Sequence, residues 1–212
     1  MEKLFWTDPY QTELTTHLVS VNANQVTLKE TIFFAFSGGQ ESDAGTIGGF
    51  RVLEAQTQGK DIVYTLDGNP SFKVGDEVKV LIDWTRRYKL MRLHFAAEII
   101  LELAYKHLSG IEKIGAHIAE DKSRIDFIWG EKISKAFPLL ENEANDLIAS
   151  DLSITSDFDD EANERRFWKI DGFAKVSCGG THLRRTGEIG KLRLKRVNIG
   201  KGKERIEITL RD

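Results

Sequence analysis

"RRYKLMRLHFAAEIILELAYKHL", residues 86–108, is where the hydrophobic rhythm of the chain changes. Leu90, Leu93, Ala97, Ile100, Leu101, Ala104 and Leu108 recur at steps of three and four. That spacing puts them on one face of a 3.6-residue period and predicts a single long helix over 86–108, ending near Ser109-Gly110. The preceding chain reads differently. Up to Asp83 it consists of short β-type runs, "THLVSVN", "QVTLKETIFFAF", "AGTIGGFRVLEAQ", "DIVYTLD" and "DEVKVLIDW", separated by turn signals such as Asp67-Gly68-Asn69-Pro70 and Gly75-Asp76. Strands at that spacing predict a small β-barrel.

Beyond the helix, "KIGAHIAE" and "SRIDFIW" read as two strands joined by an Asp121-Lys122 turn. A second helix is expected over 131–149, with Ile133, Phe137, Leu140, Ala144 and Ile148 on one face and Pro138 forcing a kink or a late start. Further strands are expected at 152–157, 167–176, 191–199 and 204–210, the last two as a hairpin through Gly200-Lys201-Gly202-Lys203. The predicted fold class is α+β: an N-terminal small β-barrel, then an antiparallel sheet with helices on one face. The expected domains are 1–84 and 85–212, and no internal repeat is visible.

Composition sets the outer limits. With 212 residues, 41% hydrophobic and 30% charged, the chain has the profile of an ordinary globular protein rather than a disordered one. No apolar run approaches the roughly 18 residues of a membrane span, and the N-terminus lacks a basic segment followed by an apolar one, so the expected compartment is the cytoplasm. The only cysteine, Cys178, cannot form an internal disulfide, which leaves a buried small hydrophobe, a reactive thiol or a metal ligand. The net charge of -3 conceals a separation along the chain. Residues 141–164 hold nine acidic residues and no basic ones, whereas 184–212 hold ten Lys or Arg against four Asp or Glu, and Arg86, Arg87, Lys89 and Arg92 form a further basic group. Basic patches of this kind either neutralise nucleic-acid phosphates or form a solvated face paired with the acidic one.

Two segments carry chemistry. On the long helix His94 and Glu98 are four apart, one turn above the other, so both reach a common divalent ion or simply stabilise the helix. "SCGGTHL", residues 177–183, places a thiol and an imidazole on either side of two glycines. Thiolate and imidazole are preferred zinc ligands, and the glycines let both point inward. Together the segments offer His94, Glu98, Cys178 and His182 as candidate ligands. His17, His107 and His117 match no ligand pattern.

"CGGTHLRRTGEIGKLRL", "GKERIEI", "SRIDF" and the glycine-rich "FSGGQESDAGTI" together resemble the alanyl-tRNA editing proteins of the AlaX type, free-standing relatives of the alanyl-tRNA synthetase editing domain. The resemblance covers most of residues 30–212 and is to the medium-length members. It implies zinc held by His94, the residue at 98, Cys178 and His182. It also implies a loop at Gly38, Gly39 and Gln40 that closes over the active site, where Gln40 offers its amide to the amino acid or ribose, and a Thr181 placed to touch substrate. Arg92 and the other basic residues at 86–92 and 184–205 become candidates for phosphate contact.

The chain departs from the family pattern at two positions. The family helix motif reads His-Thr-Ala-x-His, whereas this chain has His94-Phe95-Ala96-Ala97-Glu98. Glu98 is then a zinc ligand, or a general base beside three ligands and an open position, or the mark of a site that has lost its metal. Phe95 stands where the family threonine is implicated in recognising a serine hydroxyl, and it brings neither donor nor acceptor. The implied function is trans-editing: hydrolysis of the ester joining serine or glycine to alanine-specific tRNA, which corrects what a synthetic site rejects weakly. Two other classes stay open, a non-catalytic tRNA-binding module and a metal-dependent hydrolase of another ester.

Overall fold

The computed structural model describes residues 1–200 and 202–211. Ahead of the long helix lie β1 (Glu2–Lys3), β2 (Glu13–Asn22), β3 (Gln25–Leu28), β4 (Glu30–Thr31), β5 (Gly45–Ile47), β6 (Phe50–Gln58), β7 (Asp61–Leu66) and β8 (Glu77–Ile82). The period-two pattern decides which side chains they bury: Ile62, Tyr64 and Leu66 on β7, Val78, Val80 and Ile82 on β8. Six of these strands pair antiparallel in a closed ring, β2-β3-β7-β6-β5-β8 and back to β2. Their inner side chains join Leu18, Val26, Leu28 and Ile47 in one core.

The run Ile32–Phe36, read from sequence as the end of a strand, belongs to no strand. Side chains, with the Asp43 N–H donating to the Phe34 carbonyl at 3.1 Å, take the place of a neighbouring strand in satisfying its backbone. The Ile32 carbonyl accepts from Arg87 at 2.6 Å, the Phe33 carbonyl from Tyr64 Oη at 3.1 Å, and the Phe34 N–H donates to Asp43 at 2.6 Å. Arg87 also donates through Nε to Asp43 Oδ1 at 2.7 Å, and both charged side chains are fully buried.

The long helix is α1 (Trp84–His107), followed by β9 (Glu112–Ile118), β10 (Ser123–Ile128), α2 (Phe137–Ala149), β11 (Thr155–Asp160), β12 (Arg165–Ile170), β13 (Ala174–Ser177), β14 (Lys191–Asn198) and β15 (Lys203–Arg211). Helix α2 starts late, with Pro138 in its first turn after a 3-10 turn at Ile133–Ala136; proline's missing N–H costs nothing there. The single strand expected at 167–176 is two, because Asp171-Gly172 turns the chain back, with Gly172 at φ +77°. In place of one sheet there are two, β14-β15-β10-β9 and β11-β12-β13. The expected hairpin pairs Asn198 with Glu204, while its Lys201 lies outside the described residues.

Leu90 and Leu93 of α1 pack with Ile118 of β9 and Leu210 of β15, so the helix lies on a face of the four-stranded sheet. Helix α2 meets the free edge of that sheet. Asn145 accepts from the Leu192 N–H at 3.0 Å and Glu141 from the Leu194 N–H at 2.5 Å, which satisfies ladder groups of β14 that face no strand. The chain divides into two compact units, Met1–Ser37 with Glu41–Tyr88, and Gly38–Gln40 with Lys89–Asp212. Among the described residues no helix is long and apolar enough to cross a membrane.

Candidate metal centre

Every group of the candidate centre belongs to the second unit. Helix α1 sets His94 below Glu98, with His94 Nε2 3.3 Å from Glu98 Oε1. The loop after β13 supplies the rest: the Cys178 N–H donates to the Arg166 carbonyl at 2.9 Å, which extends the pairing with β12 and delivers the thiol beneath the helix. Cys178 Sγ lies 3.5 Å from His94 Nε2 and 3.7 Å from Glu98 Oε1. Ligand atoms of His94, Cys178 and His182 all fall within 4.8 Å of one another.

These separations suit a metal. A tetrahedral zinc with bonds of about 2.0–2.3 Å has edges of roughly 3.3–3.8 Å between nitrogen, oxygen and sulfur ligands. The spacings of 3.3, 3.5 and 3.7 Å among His94, Glu98 and Cys178 fall in that range, whereas those of the group that includes His182, which is His94, Cys178 and His182 without Glu98, run up to 4.8 Å. His182 adds a second sign. Its Nδ1 is engaged by Ser156 Oγ at 2.9 Å, while its buried Nε2 has no hydrogen-bond partner among the described residues. A buried ring nitrogen left in this way is either a cost or a ligand. His94 follows the same plan, with Nδ1 3.3 Å from the Thr181 carbonyl and Nε2 turned to the cluster.

The electrostatics ask for a cation. Burial disfavours a charged His94, yet the adjoining Cys178 and Glu98 push its pKa up to about 10. Burial likewise works against an ionised Glu98, but His94 and the Trp168 indole bring it down to about 2. His182 is driven well below the ordinary imidazole range, first by burial and then by the charge on His94, so it stays neutral with a free lone pair. A positive charge between the thiol and the carboxylate is therefore favoured, and a proton or a metal ion can supply it.

Two glycines make the approach possible. A Cβ on Gly180 would lie 2.1 Å from His94 Cε1 and 2.8 Å from Gln40 Oε1, so only glycine lets the loop rest on the imidazole. One on Gly39, at φ +90°, would lie 2.6 Å from the Ala116 carbonyl oxygen, where the loop lies along β9. There the Gly39 carbonyl accepts from the Ile118 N–H at 2.8 Å.

Segment 166–207, which contains both loop ligands, matches the family described as the threonyl and alanyl tRNA synthetase second additional domain; residues 5–86 match the class II (A) tRNA synthetases. The alanyl-tRNA editing protein AlaX-M of Pyrococcus horikoshii is 33% identical over 98% of this chain and 97% of its own length. The chain belongs to the alanyl-tRNA editing family. Its AlaX-M relative from Methanosarcina barkeri is also 33% identical, over the whole of this chain and 99% of its own. An alanine–tRNA ligase of Methanococcus maripaludis is 32% identical over 97% of this chain, which spans 25% of that ligase.

For this member of the alanyl-tRNA editing family, the remaining sequence candidates fall in different places. Gln40 is 1% exposed and spends its amide on Thr181: Nε2 donates to Thr181 Oγ1 at 2.8 Å, and Oε1 accepts the Thr181 N–H at 3.2 Å. These two bonds tie Gln40 to the loop that carries Cys178 and His182. Phe95 is fully buried, its ring edge-on to Trp168 and His182 at centroid distances of 5.1 and 5.8 Å, so it walls the centre from behind. Gly38, at φ +60°, has open space around it. Arg92 is held through Nε by the Ile189 carbonyl at 2.9 Å, beside Gly190. Sequence reasoning passed over Ser156 and Trp168, which touch His182 and Glu98. They lie 26 and 70 residues from those partners, and no local pattern marks them.

Proposed function

We propose that the chain is a zinc-dependent aminoacyl-tRNA deacylase that removes serine or glycine from alanine-specific tRNA. The observation that carries this reading is the buried His182 Nε2, which has no hydrogen-bond partner among the described residues and stands beside His94 and Cys178 in a chain of this family. His94, Cys178 and His182 would hold the ion, with Glu98 Oε1 as the fourth donor at 3.3 Å from His94 and 3.7 Å from Cys178. Bound zinc supplies Lewis acidity for ester hydrolysis. The chain's own groups set the geometry. Gln40 fixes Thr181, whose hydroxyl oxygen accepts from Gln40 and keeps its own proton for a substrate oxygen. Ser156 and the Thr181 carbonyl fix the two imidazoles. Phe95 excludes water from behind the cluster.

The tRNA backbone would meet the outer face of β14, where Lys191, Arg193 and Lys195 are exposed on alternate positions while Leu192 and Leu194 point inward. Such residues stand about 6.7 Å apart along a strand.

Metal analysis joined to deacylation of Ser-, Gly- and Ala-charged tRNA tests the reading. About one zinc per chain is expected, with release of serine or glycine and sparing of alanine. Cys178→Ala should lose both the metal and the activity. Zinc-free protein, or three intact charged tRNAs, would overturn the proposal. Glu98→His separates the roles of the carboxylate: as a ligand it is replaceable with zinc retained, whereas as a general base its loss slows hydrolysis by roughly 100-fold or more.

A further inference from the structure

We propose that Trp168 is the positioning residue that turns one oxygen of Glu98 away from the cluster and leaves the other facing it, making the carboxylate a one-oxygen donor to a divalent cation. The inference rests on reading His94, Cys178 and His182 as a metal centre, and it assigns a residue that this reading does not need. An indole N–H is a donor only, and a buried one requires an acceptor. Trp168 is completely buried, and its Nε1 donates to Glu98 Oε2 at 2.9 Å. That bond turns Oε2 toward the indole. Oε1 is left 3.3 Å from His94 Nε2 and 3.7 Å from Cys178 Sγ.

A glutamate has enough side-chain torsions to present one oxygen, both, or neither, so something must select. The indole can do so because it is itself immobile. Phe95 meets it edge-on at 5.1 Å, and Phe173 stacks on it at 6.4 Å with an interplanar angle of 19°. Phe95 and Glu98 stand three apart on α1, on the same side of the helix. The helix thus supplies both the buttress of the indole and the acceptor for its proton, while β12 supplies the indole. Partners one step removed from a metal typically change its affinity by roughly 10- to 100-fold.

The test is a double-mutant cycle read by cobalt(II), whose visible bands report donor number and type. Metal-free wild type, Trp168→Phe, Glu98→Ala and the double variant are titrated with cobalt and competed with zinc. Trp168→Phe keeps an aromatic ring and removes the donor. It is expected to weaken cation affinity roughly 10-fold or more and to shift the cobalt bands, yet to change affinity less than about twofold once Glu98 is alanine. Equal losses in both backgrounds, or no loss in either, would refute the assignment. Should Trp168→Phe fail to fold, nitrogen-15 spectra of the other proteins decide. The Trp168 indole signal should exchange slowly and move on cation binding in wild type, and do neither in Glu98→Ala; a fast-exchanging indole in wild type refutes it. A failed cycle with deacylation intact overturns this proposal alone. An intact cycle without deacylation overturns the editing reading alone.

Discussion

At Gly180 one missing methyl group decides whether the centre exists. A Cβ there would fall 2.1 Å from His94 Cε1 and 2.7 Å from His94 Nδ1, and neither the buried ring nor the loop has room to yield cheaply. Gly180→Ala is expected to destabilise the fold by about 1–3 kcal/mol, the usual result of overpacking. It should also abolish stoichiometric metal, which denaturant titration and metal analysis read independently. His94, Cys178 and His182 could be found in the sequence because a thiol and imidazoles are the donors zinc prefers and two glycines let the loop turn inward. The rest was hidden for a physical reason. Ser156 and Trp168 reach the ligands only through tertiary packing, and Gln40, singled out in the sequence, finds its partner Thr181 through a contact 141 residues away. A serine or a tryptophan remote in sequence from the ligands carries no local pattern that ties it to them.

Among the elements, the four-stranded sheet carries a charge lattice open to acid. On β10, Asp126 lies opposite Arg205 of β15, which donates to both carboxylate oxygens at 2.6 and 3.0 Å, and Arg124 also bonds it. Burial raises its pKa, but the two guanidinium groups outweigh that and hold it below the ordinary carboxylate value. The unfolded chain therefore binds this proton more readily than the folded one. The stabilisation is complete above the ordinary carboxylate pKa and disappears as pH falls through the lower folded value. Asp126→Asn should cost about 1 kcal/mol at neutral pH and reduce the loss of stability below about pH 4, as measured by urea melts across pH. Elements with a strong period were the easiest to read: α1 begins two residues before the expected helix and ends one before it. The apolar run at Ile32–Phe36 was not, because its hydrophobicity suits a strand while Arg87, Asp43 and Tyr64 take its polar groups. Asp171-Gly172 was a turn signal outweighed by the β-rich residues on either side.

Over the molecule as a whole, a net charge of -3 coexists with a cationic sheet face. Arg193 stands directly opposite Thr209, and Lys191 opposite Arg211, so among the described residues neither faces an acidic residue across the register. Lys195, by contrast, is 3.8 Å from Glu207, which also takes Lys122 at 2.7 Å. Reversing the first two, with Lys191→Glu and Arg193→Glu together, should weaken tRNA binding and flatten the plot of log affinity against log salt by about one unit for each phosphate no longer neutralised. Metal content should be unchanged, and binding titrations at several salt concentrations measure the effect. The separation of charge along the chain was visible in the sequence. Which side of a strand each charge occupies became clear only from the register of β14 against β15.

The donors to the candidate centre are drawn from stretches 84 residues apart, His94 from a helix and Cys178 from a loop. During synthesis the first imidazole therefore leaves the ribosome long before its partners exist. The candidate ligand set is therefore incomplete until the loop after β13 has been made, and any cation it holds would be captured only late in synthesis.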